Sequence, residues 1–433
     1  MSLKTAILGG GITGVSLAYF LQNQGVDWQL FEAAPRLGGL CRSETTDGFV
    51  ADCAGGHIIF SKDQEVLDFV LGILGEGNHH QTPRKSAIYY RGDYVQYPFE
   101  NGLADLPLND NYECLSGYVK SDFERRTGAA EPTNFKDWCM WRFGSGISKH
   151  FMFPYNEKLW NIDLKDMNTS WVSGRIPDAP VDDVLRASIG IRTEGYKHQS
   201  VFWYPLEGGF ETIVKSVAAK LDESRLHVSA PVKEVVIKKK GFDVDGVHYD
   251  KLFSTLPLPE LKKVMKGIPD DIAASFDRLQ YTSLWSVIVA IDAPDKTDRS
   301  WIYFPHPETG PFNRLTHLSN YSPGNAPKGK SSVMVEVTHR GELDLDDAKL
   351  AEIVDHLADC DILERDKVLF SRAWNNKYAY ILYTHDLEEN LDRVRSWLKG
   401  QGVEILGRFG NYDYFNSDQC IRAAMDAAKS FKG

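Results

Sequence analysis

The stretch that most restricts the fold lies at the N-terminus, LKTAILGGGITGVSLAYFLQNQG. A short apolar run, Leu3 to Leu8, leads into Gly9, Gly11 and Gly14, and then into helix-spaced Val15, Leu17, Ala18, Phe20 and Leu21. The first glycine permits a tight turn out of a strand. The second lets backbone N–H groups approach a pyrophosphate at the helix N-terminus, and the third allows close packing of helix on strand. Strand, turn and helix in this order predict the opening of a Rossmann-like α/β unit. A second strand, WQLFE, ends at Glu32, about where an acid must lie to accept from a ribose 2'-hydroxyl, which disfavours a 2'-phosphate.

The next segment, APRLGGLCRS, adds Arg36 and the pair Gly38 and Gly39. These extend the fingerprint beyond what a nicotinamide dehydrogenase needs and resemble the second phosphate-contacting loop of flavoproteins, so FAD is the expected cofactor. Two later segments fit the same unit. LHVSAPVKEVVIKKKGFDVDGVHYDKLFSTLP reads as a meander of short strands returning to a buried one at Leu252 to Thr255, with Val232 assigned to cofactor binding. ILGRFGNYDYFNSDQCIRAAMDAAKS ends in a helix capped by Ser417 or Asp418, whose N-terminus is expected to meet the flavin's phosphate and ribityl chain. Gly410, Asp418 and Gln419 join the cofactor set. The expected architecture is a discontinuous FAD-binding domain (1–61, 201–265 and 400–433), a mainly helical lobe (62–200) and an antiparallel-sheet substrate domain (266–399).

With 433 residues the chain exceeds one ordinary core. No apolar run approaches the length of a membrane span, and MSLKTAILGG lacks a signal peptide's apolar core, so a soluble cytoplasmic protein is expected. The six cysteines are scattered without CxxC spacing, which argues against a zinc site and against a disulfide framework. A net charge of -11 gives no long-range attraction for nucleic acid, so an anionic ligand must be held by local cations. The lysines at 238 to 240 read as a solvated turn. DQEVLDFVLGIL places Val66, Phe69, Val70, Ile73 and Leu74 on one helical face, and the segments SVIVAID, WIYF, NRLTHLSN and VMVEVTHR alternate as strands. Helical lobe and sheet together suggest a cleft over the flavin.

Six blocks then carry a resemblance: GGHIIFS, YVQYPFENGLADLP, FMFPYNEKLW, WVSGRIP, WIYFPHPETGPFNRLTHLSNYSP and GRFGNYDYFNSDQ. In order and spacing, over nearly the whole chain, they resemble the eukaryotic-type branch of the UDP-galactopyranose mutases, within the amine-oxidase-like flavoprotein class. The resemblance implies an isomerase that interconverts UDP-galactopyranose and UDP-galactofuranose, in which N5 of a reduced FAD attacks the anomeric carbon while UDP departs. NADPH or NADH would supply the reduction, and neither nucleic acid nor membrane would be a partner.

By that resemblance Arg175 and Arg314 hold the leaving diphosphate, and Tyr303, Tyr380 and Tyr414 donate to the same phosphates. Tyr97, Phe99, Glu100, Phe151, Asn156 and Trp160 fall at the uridine, and Gln199 falls near the sugar. Gly55, Gly56 and His57 form a redox-responsive loop against the isoalloxazine, with Arg84 close to the flavin, and no metal is implied. Three positions depart from the family pattern: Glu100 for glutamine, Gln199 for asparagine and Phe153 for arginine. On residues alone, Arg314 also fits simple pairing with a carboxylate, and Phe151, Tyr155 and Trp160 also fit a hydrophobic core. An amine or protoporphyrinogen-type FAD oxidase, the same mutase chemistry on another nucleotide sugar, and a non-catalytic flavin scaffold remain alternatives.

Overall fold

The structure is a computed structural model that describes residues 3–173, 175–176, 179–192 and 200–431. Its centre is a five-stranded sheet in the order Val403–Ile405, Lys251–Ser254, Lys4–Leu8, Asp27–Phe31 and Leu226–His227. Every pairing is parallel. Such sheets are covered on both faces, and Ala6, Ile7, Leu8, Trp28 and Leu30 are all fully buried. Alternation sorts the side chains into two layers. Ile7 packs with the helices Ile12–Asn23, Glu211–Ala218 and Ser417–Ser430, while Ala6 and Leu8 pack on the opposite side with the Leu387–Gly400 helix and the small meander Val235–Ile237, Phe242–Val244, Val247–Tyr249. Lys238, Lys239 and Lys240 lie exposed between its first two strands.

A second, seven-stranded sheet runs Val368–Ile381, Tyr281–Ile291, Ser331–His339, Arg314–His317, Trp301–Tyr303, Ser86–Tyr90 and Asp93–Gln96. It is antiparallel except where Trp301–Tyr303 meets Ser86–Tyr90. Its last two strands come from the stretch expected to be mainly helical. SAIYY is a buried apolar run too short for a helix, and Arg91 and Gly92, with φ of 50° and 92°, turn it back on itself as a tight hairpin.

The helical lobe comprises Leu108–Arg126, Phe135–Ile147, Phe153–Trp160 and Val181–Ser188. A π-helical turn, Ser148–Met152, joins the second to the third. An ion network ties this turn to the first helix. Asp110 accepts from Arg91 Nη1 at 2.7 Å, Glu113 from Lys149 Nζ at 3.0 Å, and His150 reaches Glu113 Oε2 at 3.0 Å and the Tyr90 hydroxyl at 2.8 Å. The ligand atoms of Asp110, Glu113 and His150 lie within 4.8 Å of one another, a spacing a metal could use, but both carboxylates already carry cationic partners.

The cap of the Ser417–Ser430 helix is Asn416, one residue before the expected Ser417 or Asp418. Its backbone is extended (φ -82°, ψ 175°) and its N–H donates to Gln419 Oε1 at 3.0 Å, as in a capping box. All six cysteines are buried and unpaired. No helix among the described residues is long and apolar enough to cross a membrane.

Candidate active site

The turn after the first strand is built for close approach. A Cβ on Gly14 would stand 2.0 Å from the Gly9 carbonyl oxygen, and one on Gly9, whose φ is 101°, would stand 2.4 Å from Thr255 Oγ1. Gly11 caps the Ile12–Asn23 helix with no side chain and no acid in the first turn, so its N-terminal amides are left for an anion. The second glycine pair lies on this turn: Gly38 N–H donates to Gly10 O at 2.8 Å, and a Cβ on Gly39 would meet Gly11 Cα at 3.1 Å. Glu32 accepts from Gly10 N–H at 2.7 Å and Ala34 N–H at 2.8 Å, one bond on each oxygen, and each oxygen retains a lone pair for a ribose hydroxyl. The donor set and the cradle therefore fit a dinucleotide such as FAD.

The remaining cofactor candidates are placed unevenly. Ser229 and Ala230 donate to Ala34 O and Glu32 O, which brings the segment leading to half-buried Val232 beside Glu32. A Cβ on Gly410 would meet Leu406 O at 2.0 Å. Asp418 accepts from the Ser61 hydroxyl at 2.8 Å, whereas Gln419 is committed to the helix cap. Arg36 pairs with Glu44 and with buried Glu211 at 3.4 and 3.5 Å. Beneath the loop lies an acid that sequence reasoning missed, fully buried Asp52, which accepts from Ser43 Oγ (2.7 Å), the Tyr204 hydroxyl (2.9 Å) and Phe210 N–H (3.0 Å). Burial pushes its pKa up to about 6.

Arg314 faces Glu336 across adjacent strands, and Tyr303 faces Arg314 on the other side. Arg314 Nε donates to Glu336 Oε1 at 2.8 Å, and its Nη2 donates to the same oxygen and, at 3.3 Å, to Gly56 O. Glu336 is 1% exposed and also takes Gly56 N–H (3.3 Å) and the Tyr380 hydroxyl (3.4 Å). A Cβ on Gly55 would reach Glu336 Oε1 at 2.9 Å, and one on Gly56 would reach Thr316 Oγ1 at 2.6 Å. Arg314 is thus paired with a carboxylate and, through it, locked to the Gly55–Gly56 loop. The signal for Glu336 was present in VMVEVTHR, as the one acid in an otherwise buried strand. Next in the loop, the His57 ring stacks on Phe210 at 5.1 Å and 29°. Burial, with Arg314 and Arg408 nearby, brings its pKa down to about 4, so the ring is neutral at pH 7.

Tyr380 and Tyr414 stack at 6.0 Å and 28°. Arg175 lies 4.0 Å from the Tyr414 ring centre and Arg408 lies 4.3 Å from it, with burial lowering the Arg175 pKa. Arg408, another residue that sequence reasoning missed, is fixed by bonds to Phe415 O (2.8 Å) and Ala379 O (2.9 Å). A continuous path, Arg175 to Tyr414 to Tyr380 to Glu336 to Arg314, joins the two expected guanidiniums along one wall. Tyr303 stands at 4.9 Å from Tyr97 and 5.5 Å from Tyr155. Arg84 lies over Tyr97 and Trp301 at 5.2 and 5.0 Å. Within a chain of net charge -11, cations are therefore concentrated here.

The expected base-contacting set is only partly available. Phe99 and Trp160 are 0% and 1% exposed, packed inside the helical lobe because the 3-10 turn Phe99–Asn101 and the Phe153–Trp160 helix both fold inward. Phe99, Phe151 and Tyr155 stack in parallel at 5.1 and 5.4 Å. The Asn156 amide is occupied at both ends, donating to Met152 O at 2.7 Å and accepting from Trp160 Nε1 at 3.0 Å. Glu100 is buried beside them. Gln199 lies outside the described residues. Tyr155, considered only as a core residue, bridges this stack to Tyr303.

Comparison with known proteins fits this geometry. A crystal structure of reduced UDP-galactopyranose mutase superposes with a TM-score of 0.90 at 28% identity, covering 99% of this chain and 95% of that one. The UDP-galactopyranose mutase of Mycoplasma pneumoniae is 22% identical over 296 residues, 64% of this chain and 65% of that protein. The coproporphyrinogen III oxidase of Staphylococcus aureus is 44% identical over 386 residues, 82% of each. The chain spans 50% and 59% of the length of two plant protoporphyrinogen oxidases, from Nicotiana tabacum and Arabidopsis thaliana. Residues 12–386, most of the chain, match one family throughout, and with the glycine cradle and Glu32 in place the chain belongs to the flavin containing amine oxidoreductases.

Proposed function

We propose that the chain is an FAD-dependent nucleotide-sugar mutase of the UDP-galactopyranose mutase type, eukaryotic branch, acting in the cytoplasm on UDP-galactopyranose. The reading takes 1–61, 201–265 and 400–433 as the cofactor unit, 62–200 as the uridine-binding lobe and 266–399 as the substrate sheet. What carries it is the wall of Arg175, Tyr414, Tyr380 and Arg314 beside the Gly55–Gly56 loop. The chemistry that reduced FAD supplies, when bound, is nucleophilic attack at the anomeric carbon, with no net electron transfer. The protein's share is to position the sugar and stabilise the departing diphosphate.

In this reading Arg175 meets the diphosphate from the Tyr414 side. Glu336 occupies Nε and Nη2 of Arg314, leaving Nη1 for a phosphate oxygen, and holds the fork in one orientation without neutralising the wall as a whole. Tyr303, Tyr380 and Tyr414 present hydroxyls to the same group, Tyr380 exchanging its 3.4 Å bond to Glu336 for one to the phosphate. Incubating dithionite-reduced protein with a panel of UDP-sugars, followed by chromatography, should yield furanose products. Absence of UDP binding by reduced, FAD-loaded protein at millimolar concentration would refute the reading.

The identity to coproporphyrinogen III oxidase favours a second reading, an FAD-dependent oxidase of the amine or protoporphyrinogen type. Steady oxygen consumption with an amine or porphyrinogen, and no furanose formation, would select it.

A further inference from the structure

Two buried carboxylates flank the Gly55–His57 loop, and the mutase reading uses only one of them. Glu336 takes the Gly56 N–H at 3.3 Å. Asp52 is the last residue of the Phe49–Asp52 strand, from which the loop departs, and it is fully buried. Its Oδ1 accepts from Ser43 Oγ at 2.7 Å and Phe210 N–H at 3.0 Å, and its Oδ2 from the Tyr204 hydroxyl at 2.9 Å. The His57 backbone amide adds to the contacts that favour its charge. One side chain thus joins the Ser43–Thr46 strand, the loop, the Val201–Pro205 strand and the start of the Glu211–Ala218 helix.

The chain is shaped to let it do so. Gly208 and Gly209, with φ of 77° and 75°, turn Phe210 N–H inward, and a Cβ on Gly209 would stand 2.5 Å from Ser43 Oγ. Asp52 therefore fixes both members of the His57 and Phe210 ring stack, each through its backbone amide. The Gly56 carbonyl and the His57 N–H belong to one planar peptide. The carbonyl accepts from Arg314 Nη2 at 3.3 Å while the N–H is held from the Asp52 side, so rotation of that peptide disturbs Arg314.

We propose that Asp52 is a positioning residue for this site: as a carboxylate it fixes the Gly55–His57 loop and, through the Gly56–His57 peptide, the Arg314 fork. The loop's share in catalysis rests on the mutase reading; its placement by Asp52 does not. Four donors suit an anion, which has a lone pair for each. Once protonated, one oxygen becomes a donor that only a hydroxyl can receive, and the hold on the amides weakens. Burial raises the Asp52 pKa to about 6 against those donors, so the two forms interchange just below neutrality. Among the groups that face it, burial keeps the Tyr204 and Tyr321 hydroxyls and the Cys41 and Cys53 thiols protonated, and the His57 ring stays neutral down to about pH 4. Glu211, bonded to the same Ser43, is paired with Arg36 and Lys215 at 3.5 and 3.2 Å.

The test uses the full-length, FAD-loaded chain. Hydrogen-exchange mass spectrometry reads the peptide that spans the loop. Corrected for intrinsic rates, its exchange should be at least about tenfold faster at pH 5 than at pH 7.5 in the wild type, and fast at both in Asp52→Asn. With dithionite-reduced protein and UDP-galactopyranose, wild-type kcat should fall below about pH 6. In Asp52→Asn it should be about tenfold lower and level across that range, with KM little changed. Ser43→Ala and Tyr204→Phe each remove a donor to the anion and should move the acid limb up by about half a pH unit. Loop exchange in Asp52→Asn that matches the wild type at pH 7.5 overturns the proposal, as does an acid limb that persists in that variant. Should Asp52→Asn lose its flavin, an acid limb unmoved in both hydroxyl variants overturns it instead. If the exchange pattern holds but no UDP-sugar is converted, the mutase reading falls and the placement by Asp52 stands.

Discussion

Glu336 sits opposite Arg314 on the neighbouring strand, and its Oε1 takes both the Arg314 Nε at 2.8 Å and the Gly56 N–H at 3.3 Å. One buried carboxylate therefore sets the orientation of a guanidinium and the position of a loop. Removing either member of such a pair strands the other.

Arg314→Ala in FAD-loaded protein should cost about 3 kcal/mol of stability, because an uncompensated carboxylate is left 1% exposed. Adding Glu336→Gln should recover much of that loss. A thermal-melt double-mutant cycle checks the coupling, and simple additivity would mean that the two side chains do not depend on each other.

Catalytically, Arg314→Ala should lower kcat for furanose formation about a hundredfold, the size expected for one charge-assisted contact made in the transition state. Arg314→Lys should also be impaired, since an ammonium cannot occupy Glu336, the Gly56 carbonyl and a phosphate in the fork's geometry. Trp160→Ala should act differently: its ring is buried and bonded to Asn156, so the main loss is stability, by about 3 kcal/mol or more. Steady-state kinetics beside melting curves separate the two.

Acid should unmask an opposition between His57 and Asp52. His57, lowered from 6.5 to about 4 in the fold, is a base kept neutral, so its contribution is complete above pH 6.5 and is lost as pH falls towards 4. Asp52, raised from 3.8 to about 6, is an acid that holds its proton, so its contribution is complete below pH 3.8 and is lost as pH rises through 6. Between pH 6.5 and 4 the contributions of these two groups should largely offset each other. Relative to wild type, His57→Gln should gain stability as pH falls across that window, by an amount on the order of 3 kcal/mol. Denaturant titrations at several pH values measure it; a constant difference between the two proteins would contradict the assignment.

Gly14→Ala should abolish FAD retention after gel filtration, because its methyl would stand 2.0 Å from a backbone oxygen. Gly72→Ala, within the Gln64–Leu74 helix with nothing inside 4 Å, should be neutral or stabilising by about 0.5–1 kcal/mol. Absorbance of the bound flavin provides the readout for both.

These sites differ in how visible they were in the sequence. The glycine turn and Glu32 were legible because strand, turn and helix are contiguous and the spacing itself encodes the backbone path. Arg314 was legible as a strand residue open to pairing with a carboxylate, but which acid takes it was not: Glu336 stands out as an acid in an apolar run, and the bond itself depends on strand register across 22 residues. Arg408 sat unremarked in a loop whose backbone carbonyls fix it only after folding. The Ser86–Tyr90 and Asp93–Gln96 hairpin was hidden among helical patterns because strands of four or five residues carry little periodicity. Phe99 and Trp160 are aromatic in either role, and only their burial separates a core ring from one facing a ligand.

The hairpin has a mechanical corollary. By pairing Ser86–Tyr90 with Trp301–Tyr303, it brings Arg84 and Tyr97, at the margins of its strands, onto the same hydrogen-bonded slab that bears Tyr303 and Arg314. Those four side chains are therefore carried by one hydrogen-bonded frame. Accommodation of a larger or smaller guest falls to Arg175, which reaches the same wall through Tyr414 from a segment outside that sheet.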